Sequence, residues 1–294
     1  VESHKAYLFI VNPRSGTRLG HGAEQIISII ENKIKLAGHQ VTCVTTRHGG
    51  HATELVKEAV ASSNRWTAIV AVGGDGTVNE VARGLLHSGT PLGIIPLGSG
   101  NGLARHLGIP LTVSGALSCI LNGETLRMDS AEINGYPFFC TAGLGFDALV
   151  SHRFSQHSKR GLLSYAKISW DAYWAYRPFS FTRDHKKELA FSVCFANAGQ
   201  FGNNAWIAPH ANVTDGKLDL CHIKPFPKWM GVAYVWKMFT KRLTHSKYIA
   251  YERFTEATIQ TETPSIVHFD GEPHQLISTE IRVRIIPQSL TVIH

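Results

Sequence analysis

Three glycine-rich turns hold the residues best suited to chemistry. In Gly73-Gly74-Asp75-Gly76-Thr77 the glycines let the backbone approach an anion, and a following helix would offer unpaired N–H groups and a positive dipole end to phosphate. A carboxylate at Asp75 repels phosphate unless a divalent cation lies between them, so Mg²⁺ carried by a nucleotide is the natural reading. The plainer alternative is a helix N-cap at Asp75 or Thr77. The other two turns are Asn12-Pro13-Arg14-Ser15-Gly16 and Pro96-Leu97-Gly98-Ser99-Gly100-Asn101-Gly102. None reads GxGxxG or GxxxxGK[ST], which disfavours a dinucleotide-oxidoreductase fingerprint and a Walker loop. Phosphate binding would then rest on backbone amides, on the hydroxyls of Thr46, Thr77 and Ser99, and on Arg14. Ser99 taken alone also suits an ordinary turn hydroxyl.

Two acidic turns lie further on. Phe269-Asp270-Gly271-Glu272-Pro273 follows an apolar run and by itself suits a hairpin turn. Beside a magnesium-nucleotide site it supplies what phosphoryl transfer to an alcohol needs, a carboxylate to take the hydroxyl proton and another to help hold metal. Asp215-Gly216-Lys217-Leu218-Asp219 resembles an oxygen-rich cation loop and equally suits a plain β-turn.

The elements that must position these turns show two rhythms. Up to about Met128, β-branched runs (Tyr7 to Val11, Val41 to Thr45, Thr67 to Val72, Leu92 to Ile95) alternate with amphipathic stretches such as Ile26, Ile27, Ile30 and Ile34. That alternation predicts an α/β fold with an open parallel sheet covered on both faces, the glycine-rich turns falling at the carboxyl ends of its strands, where such sheets bind ligands. Beyond Met128, strands over Phe138 to Thr141, Leu189 to Ala196, Leu218 to Ile223, Ala257 to Thr261, Ile266 to Phe269 and Ile281 to Ile286 predict a β-rich, mostly antiparallel domain. Helices over Leu162 to Tyr176 and Lys228 to Leu243 interrupt it. The expected domains are 1–128 and 129–294, with the last strand packing back on the first domain.

Of 294 residues 44% are hydrophobic and 17% charged, enough apolar material to exclude disorder. Lys and Arg number 29 against 22 Asp and Glu, and the segment Ser151 to Arg253 alone holds 16 basic and 6 acidic residues. So local an excess points to an anionic partner. Five separated cysteines without a CxxC pair suggest reduced thiols rather than a disulfide framework or zinc site. Val1 to Tyr7 lacks the apolar core of a signal peptide and no run is long enough to span a membrane, so the expected location is cytoplasmic. Trp229, Val232, Ala233, Trp236, Phe239 and Leu243 recur at helical spacing beside Lys228, Lys237, Lys241 and Arg242. Tryptophans flanked by cations suit an interfacial helix at an anionic membrane, or a helix packed on a core. Trp170, Tyr173, Trp174 and Tyr176 form a similar stretch.

In order, Asn12 to Gly16, Gly73-Gly74-Asp75-Gly76-Thr77-Val78-Asn79-Glu80, Pro96 to Arg105, Gly143-Leu144-Gly145-Phe146-Asp147, Asn197-Ala198-Gly199, Ala208-Pro209, Asp215 to Asp219 and Asp270 to Pro273 resemble the diacylglycerol kinase and sphingosine kinase catalytic family, bacterial-type soluble lipid kinases. The resemblance implies an NAD-kinase-like, doubly wound N-terminal domain, a C-terminal mostly antiparallel sandwich and an ATP site in the cleft between them. It implies nucleotide contacts at Asn12, Arg14, Thr46, Gly73, Gly74, Asp75, Gly76, Thr77, Val78, Asn79 and Ser99. Proton acceptance falls to Glu272 or Asp270, or, as in sphingosine kinases, to Asp75. It further implies a structural Mg²⁺ at Asn212, Asp215 and Lys217, through backbone carbonyls at the outer two. The expected activity is transfer of the γ-phosphate of MgATP to a sphingoid base, ceramide or diacylglycerol at an anionic membrane surface, with no nucleic acid involved and a dimer allowed. Gly98-Ser99-Gly100-Asn101-Gly102-Leu103-Ala104 is nearer the S-G-N-x-L-A form of sphingosine and ceramide kinases than the G-T-x-N-D of many bacterial diacylglycerol kinases. The alternatives are an NAD kinase-like phosphotransferase, which leaves the DGEP turn and the tryptophan-rich helices without a purpose, and a non-catalytic nucleotide and membrane sensor.

Overall fold

The computed structural model describes residues 4–15, 22–157 and 162–294, so Gly16 of the first turn lies outside them. It divides into two compact units, Val1–Met128 with Gln288–His294, and Asp129–Pro287.

The first unit runs β1 (Ala6–Val11), α1 (Ala23–Leu36), β2 (Gln40–Thr45), α2 (His51–Ala61), β3 (Ala68–Gly73), α3 (Asp75–Leu85), β4 (Leu92–Pro96), α4 (Gly102–His106), α5 (Val113–Asn122) and the start of β5 (Thr125–Ile133). Its strands pair in parallel in the order β2-β1-β3-β4. Every residue of β3 and β4 is buried, as a parallel sheet covered on both faces requires. The chain moves from β1 outward to β2, then back past β1 to β3. Because β-α-β crossovers are right-handed, that reversal sends α1 to one face and α2 and α3 to the other. Accordingly α2 packs on α3, and α1 touches α5. The strand order reverses between β1 and β3, so the crevice beyond their carboxyl ends lies between the Asn12 and Gly73 turns.

The second unit continues with β6 (Tyr136–Phe138), β7 (Thr141–Gly145), α6 (Phe146–Ser155), α7 (Leu162–Ala175), β8 (Phe179–Arg183), β9 (Lys186–Ala190), β10 (Ser192–Ala196), β11 (Leu218–Ile223), α8 (Gly231–Phe239), β12 (Ile249–Phe254), β13 (Glu256–Thr261), β14 (Ile266–Phe269), β15 (Glu272–Gln275) and β16 (Glu280–Ile293). The end of β16 belongs to the first unit, where Val292 pairs in parallel with Leu92. Six strands form an antiparallel sheet in the order β12-β11-β10-β7-β14-β15, and β16-β13-β8-β9 form part of a second. Alternation on β13 and β16 turns Ala257, Ile259, Ile281 and Val283 inward, into one core with Leu144, Phe195 and Phe269 of the first sheet. The unit is a sandwich.

Three expected elements break. Phe138 to Thr141 is not a strand: Phe138 ends β6, Thr141 opens β7, and Phe139 and Cys140 lie in the bend between them. Leu189 to Ala196 is not one strand: it is interrupted at Phe191, where β9 ends in one sheet and β10 begins in the other. The helix expected over Lys228 to Leu243 is a 3-10 turn at Lys228–Met230 followed by α8, which stops at Phe239. Lys241 then takes a left-handed conformation (φ 58°), which a helix cannot propagate through. Leu243 consequently turns inward and is buried rather than extending the stripe.

Candidate functional site

Within the first unit the glycine-rich turns are pressed together. Gly73 is glycine because a Cβ there would lie 2.4 Å from Thr77 Oγ1. Gly74 and Gly98 back onto each other, a Cβ on Gly98 falling 2.7 Å from Gly74 Cα and 2.8 Å from Asn101 Oδ1. Asn12 Nδ2 donates to Thr77 Oγ1 (3.0 Å) and its Oδ1 accepts the Arg14 N–H (3.0 Å). The crevice between β1 and β3 is thus fastened through two candidate nucleotide residues, and the Arg14 side chain is exposed beside it. Thr46 follows β2 and donates its N–H to Val11 O (2.9 Å). Ser99 is exposed. Val78 and Asn79 are buried and the Val78 N–H is committed to Gly74 O (3.1 Å). The donor set that suits a polyphosphate is the head of α3 before Val78, where the backbone N–H groups point out of the helix and carry the positive end of its dipole.

Asp75 has structural work that glycine spacing did not reveal. Its Oδ2 accepts the Asn101 N–H (2.9 Å) and its Oδ1 the Gly102 N–H (2.7 Å), so it caps α4 from the neighbouring turn. Asn101 exchanges hydrogen bonds with Gly98 through Oδ1 and Nδ2 (both 2.9 Å) and sits in the left-handed region (φ 50°, ψ 48°). Three motif residues therefore fix one another. An acidic residue among these glycines accordingly has a purpose without a cation, and a cation would share its oxygens with two amides. Glu80 acts alike on α2, accepting the N–H groups of Gly50 (2.9 Å) and Ala52 (3.1 Å).

In the second unit Asp270 and Gly271 form the two-residue turn between β14 and β15, both with positive φ (50° and 87°), as the tight hairpin turn demands. The Asp270 carboxylate reaches to the entry of β7, accepting N–H groups from Phe139 (3.0 Å), Cys140 (2.7 Å) and Thr141 (3.1 Å). Glu272, at the start of β15, is exposed. Asn197 holds the same segment from the other side, donating Nδ2 to Asp129 O and Phe139 O (both 2.8 Å).

A buried pair not singled out from the sequence joins the first turn of α6 to β14. Asp147 Oδ2 is 3.0 Å from His268 Nε2, and a Cβ on Gly143 would come within 2.5 Å of that carboxylate oxygen. The Gly143-x-Gly145-x-Asp147 spacing was the available signal, but it did not disclose His268. Burial, reinforced by the Asp147 charge, pushes the Cys194 thiol well up.

The candidate cation loop is largely bonded to itself. Asn212 Oδ1 accepts from Thr214 N (3.1 Å) and Thr214 Oγ1 (2.9 Å), and Asp215 Oδ1 accepts the Lys217 N–H (3.1 Å). Asp215 Oδ2 lies 3.8 Å from Arg253 Nη1, and Arg253 Nε is 3.5 Å from Asp219 Oδ1. Burial raises the Asp219 carboxyl above the ordinary aspartate range, against the opposing pull of Arg253. An all-oxygen donor set of Asp215 and backbone carbonyls fits a hard cation, in competition with Arg253. Among the described residues, His48, His51 and Glu54 also gather their ligand atoms within 4.8 Å, although the histidines of the sequence show no HExxH or other metal spacing.

Residues 6–133 match the family described as the diacylglycerol kinase catalytic domain, and residues 140–294 the YegS C-terminal NAD kinase beta sandwich-like domain. A protein of Pseudomonas aeruginosa strain PAO1 described as "Probable lipid kinase YegS-like" is 30% identical over 269 residues, covering 87% of this chain and 85% of that one. The "Diacylglycerol kinase" of Bacillus subtilis strain 168 is 27% identical over 274 residues, covering 90% and 88%. A crystal structure of a diacylglycerol kinase from Bacillus anthracis superposes with a TM-score of 0.75 over 100% of this chain and 98% of that one; at 22% identity it speaks for the fold alone. A doubly wound domain with this turn set, joined to this sandwich, defines a class of enzymes, the lipid kinases. The chain belongs to the family that couples a diacylglycerol kinase catalytic domain to a YegS-like C-terminal domain, and membership implies ATP as donor. Among the described residues, no helix is long and apolar enough to cross a membrane.

Proposed function

We propose that the protein transfers the γ-phosphate of MgATP to the hydroxyl of a membrane lipid, a sphingoid base, ceramide or diacylglycerol. The observation that carries this reading is the clamp in which Asp75 holds the Gly98–Gly102 turn against Gly74 at the head of α3. It presets N–H donors at a helix N-terminus, where phosphates bind. Asn12 and Thr77 line the crevice, and Thr46, Ser99 and Arg14 add hydroxyls and a cation. MgATP supplies the phosphoryl group and the cation that neutralises its charge, so the chain's own task is chiefly positioning.

We assign proton acceptance to Glu272. Glu272 is exposed at the start of β15, on a hairpin that the Asp270 carboxylate fixes to the entry of β7, and the charge-assisted bonds of Asp270 and Asp75 to backbone N–H groups give those two an anchoring role. Asp215 with the carbonyls of Asn212 and Lys217 would hold a structural Mg²⁺. The acceptor places the enzyme peripherally on anionic membranes, on their cytoplasmic side.

The test is incubation with γ-labelled ATP and a panel of sphinganine, ceramide, diacylglycerol, phosphatidylglycerol and NAD. Label should enter a lipid and be lost with Glu272→Gln. Label in NAD alone would replace this reading with an NAD kinase, and no label with any acceptor would leave a nucleotide sensor.

A further inference from the structure

Two segments of the second unit, more than fifty residues apart, dock on each other through Tyr173. Its hydroxyl donates to Lys228 O (2.7 Å), and its ring lies where a Cβ on Gly231 would approach within 2.7 Å. The Lys228 ammonium returns a hydrogen bond to Trp174 O. Helix α7 and the Lys228–Phe239 turn and helix therefore make one surface. On its solvent side Trp170 and Trp174 meet edge to face at 5.6 Å. Trp229 (79% exposed), Val232 (66%) and Trp236 (53%) continue it.

These side chains are not a core seen from outside. Helix α8 already has an inward anchor in Tyr234, which stacks on Phe226 at 4.0 Å and hydrogen-bonds Ser246 at 2.6 Å. Exposed apolar surface of this extent marks an interaction site. Its charge says with what: from Lys224 to Lys247 there are six cations and no carboxylate, and α7 adds one of each, Lys167 and Asp171, so the excess over both segments is six. Arg242 lies 5.3 Å from the Trp236 ring, leaving indole and cation side by side. Tryptophan suits headgroup depth, and basic residues beside it favour anionic lipid over an apolar protein face.

We propose that α7 and α8 together form a wedge that seats the protein on an anionic bilayer, with Trp170, Trp174, Trp229 and Trp236 at headgroup level. The wedge deepens the lipid-kinase reading and rests on it for the premise that the acceptor lies in a membrane. The whole chain is sedimented with vesicles of phosphatidylglycerol and phosphatidylcholine, or of phosphatidylcholine alone, without ATP. Wild type should prefer the anionic vesicles and weaken with salt. Trp170→Ser/Trp174→Ser and Trp229→Ser/Trp236→Ser should each lower affinity at least about tenfold, and Lys237→Gln by about fivefold. Leu36→Ser, an exposed apolar residue of the first unit (88%), should change nothing, and circular dichroism confirms folding. Equal binding to neutral vesicles, an effect of only one tryptophan pair, or self-association through this face in sedimentation velocity would each overturn the wedge. Phosphorylation of a short-chain acceptor dispersed as monomers should survive in both pairs. Loss of that activity in wild type would sink the kinase reading without touching the vesicle result.

Discussion

Replacing Asp75 separates two roles that its position allows, a base or cation ligand and a clamp. In the wild type its two oxygens accept one N–H each, at 2.9 and 2.7 Å, from the N-cap and the first residue of α4. Hydrogen bonds to a charged group contribute about 1.5–3 kcal/mol each. The site is half-buried, so solvent screening discounts the two-bond sum of about 3–6 kcal/mol, and Asp75→Ala should cost about 2–4 kcal/mol of local stability. Asp75→Asn keeps one acceptor and turns an NH₂ toward a donor, and should fall between Ala and wild type. Amide hydrogen exchange at Asn101 and Gly102 reads this directly: about 30- to 1,000-fold faster exchange in Asp75→Ala follows from that range. Nucleotide affinity should fall with it, since the Gly98–Gly102 turn is released from Gly74. Unchanged exchange at both amides alongside abolished turnover would refute the clamp and return Asp75 to the chemistry.

Glu272→Gln should lower kcat by about 10²–10⁴-fold while leaving the Kd for MgATP unchanged, as expected for loss of a general base; steady-state kinetics and calorimetry check both halves. Asp270→Asn should instead destabilise the second unit, because one carboxylate serves three N–H donors, with thermal unfolding as the readout. Gly98→Ala puts a methyl 2.7 Å from Gly74 Cα; strain of about 1–3 kcal/mol should appear as weaker nucleotide binding. The raised carboxyl of Asp219 holds its proton to a higher pH in the folded than in the unfolded chain. Its contribution is therefore complete below the ordinary aspartate range and is lost as pH rises through the folded value. Denaturant unfolding from about pH 3 to about pH 6 should show Asp219→Asn gaining on wild type as pH rises.

Much of the architecture was legible because it depends on local pattern. The β-branched runs of β1, β3 and β4 and the turns after them mark a parallel sheet, and alternation on β13 and β16 marks a sandwich strand. What escaped depends on contacts between distant segments. The anchoring bonds of Asp75 escaped because its two amides come from a turn 26 residues on, and those of Asp270 because its donors lie about 130 residues earlier. The stop after α8 rests on a left-handed Lys241, a residue type with no preference for that conformation. The break at Phe191 records a change of sheet, which hydrophobic alternation does not encode. Tryptophan spacing on α7 and α8 was readable, but their union through Tyr173 was not.

Phosphoryl transfer by this chain requires the glycine-rich turns of the first unit to cradle a triphosphate. A crystal of the protein soaked with magnesium and a non-hydrolysable ATP analogue tests this most directly. The phosphates should lie against the amides of Gly74 to Thr77 at the head of α3, beside Asn12. Nucleotide ordered elsewhere, with that turn bare, would contradict the account.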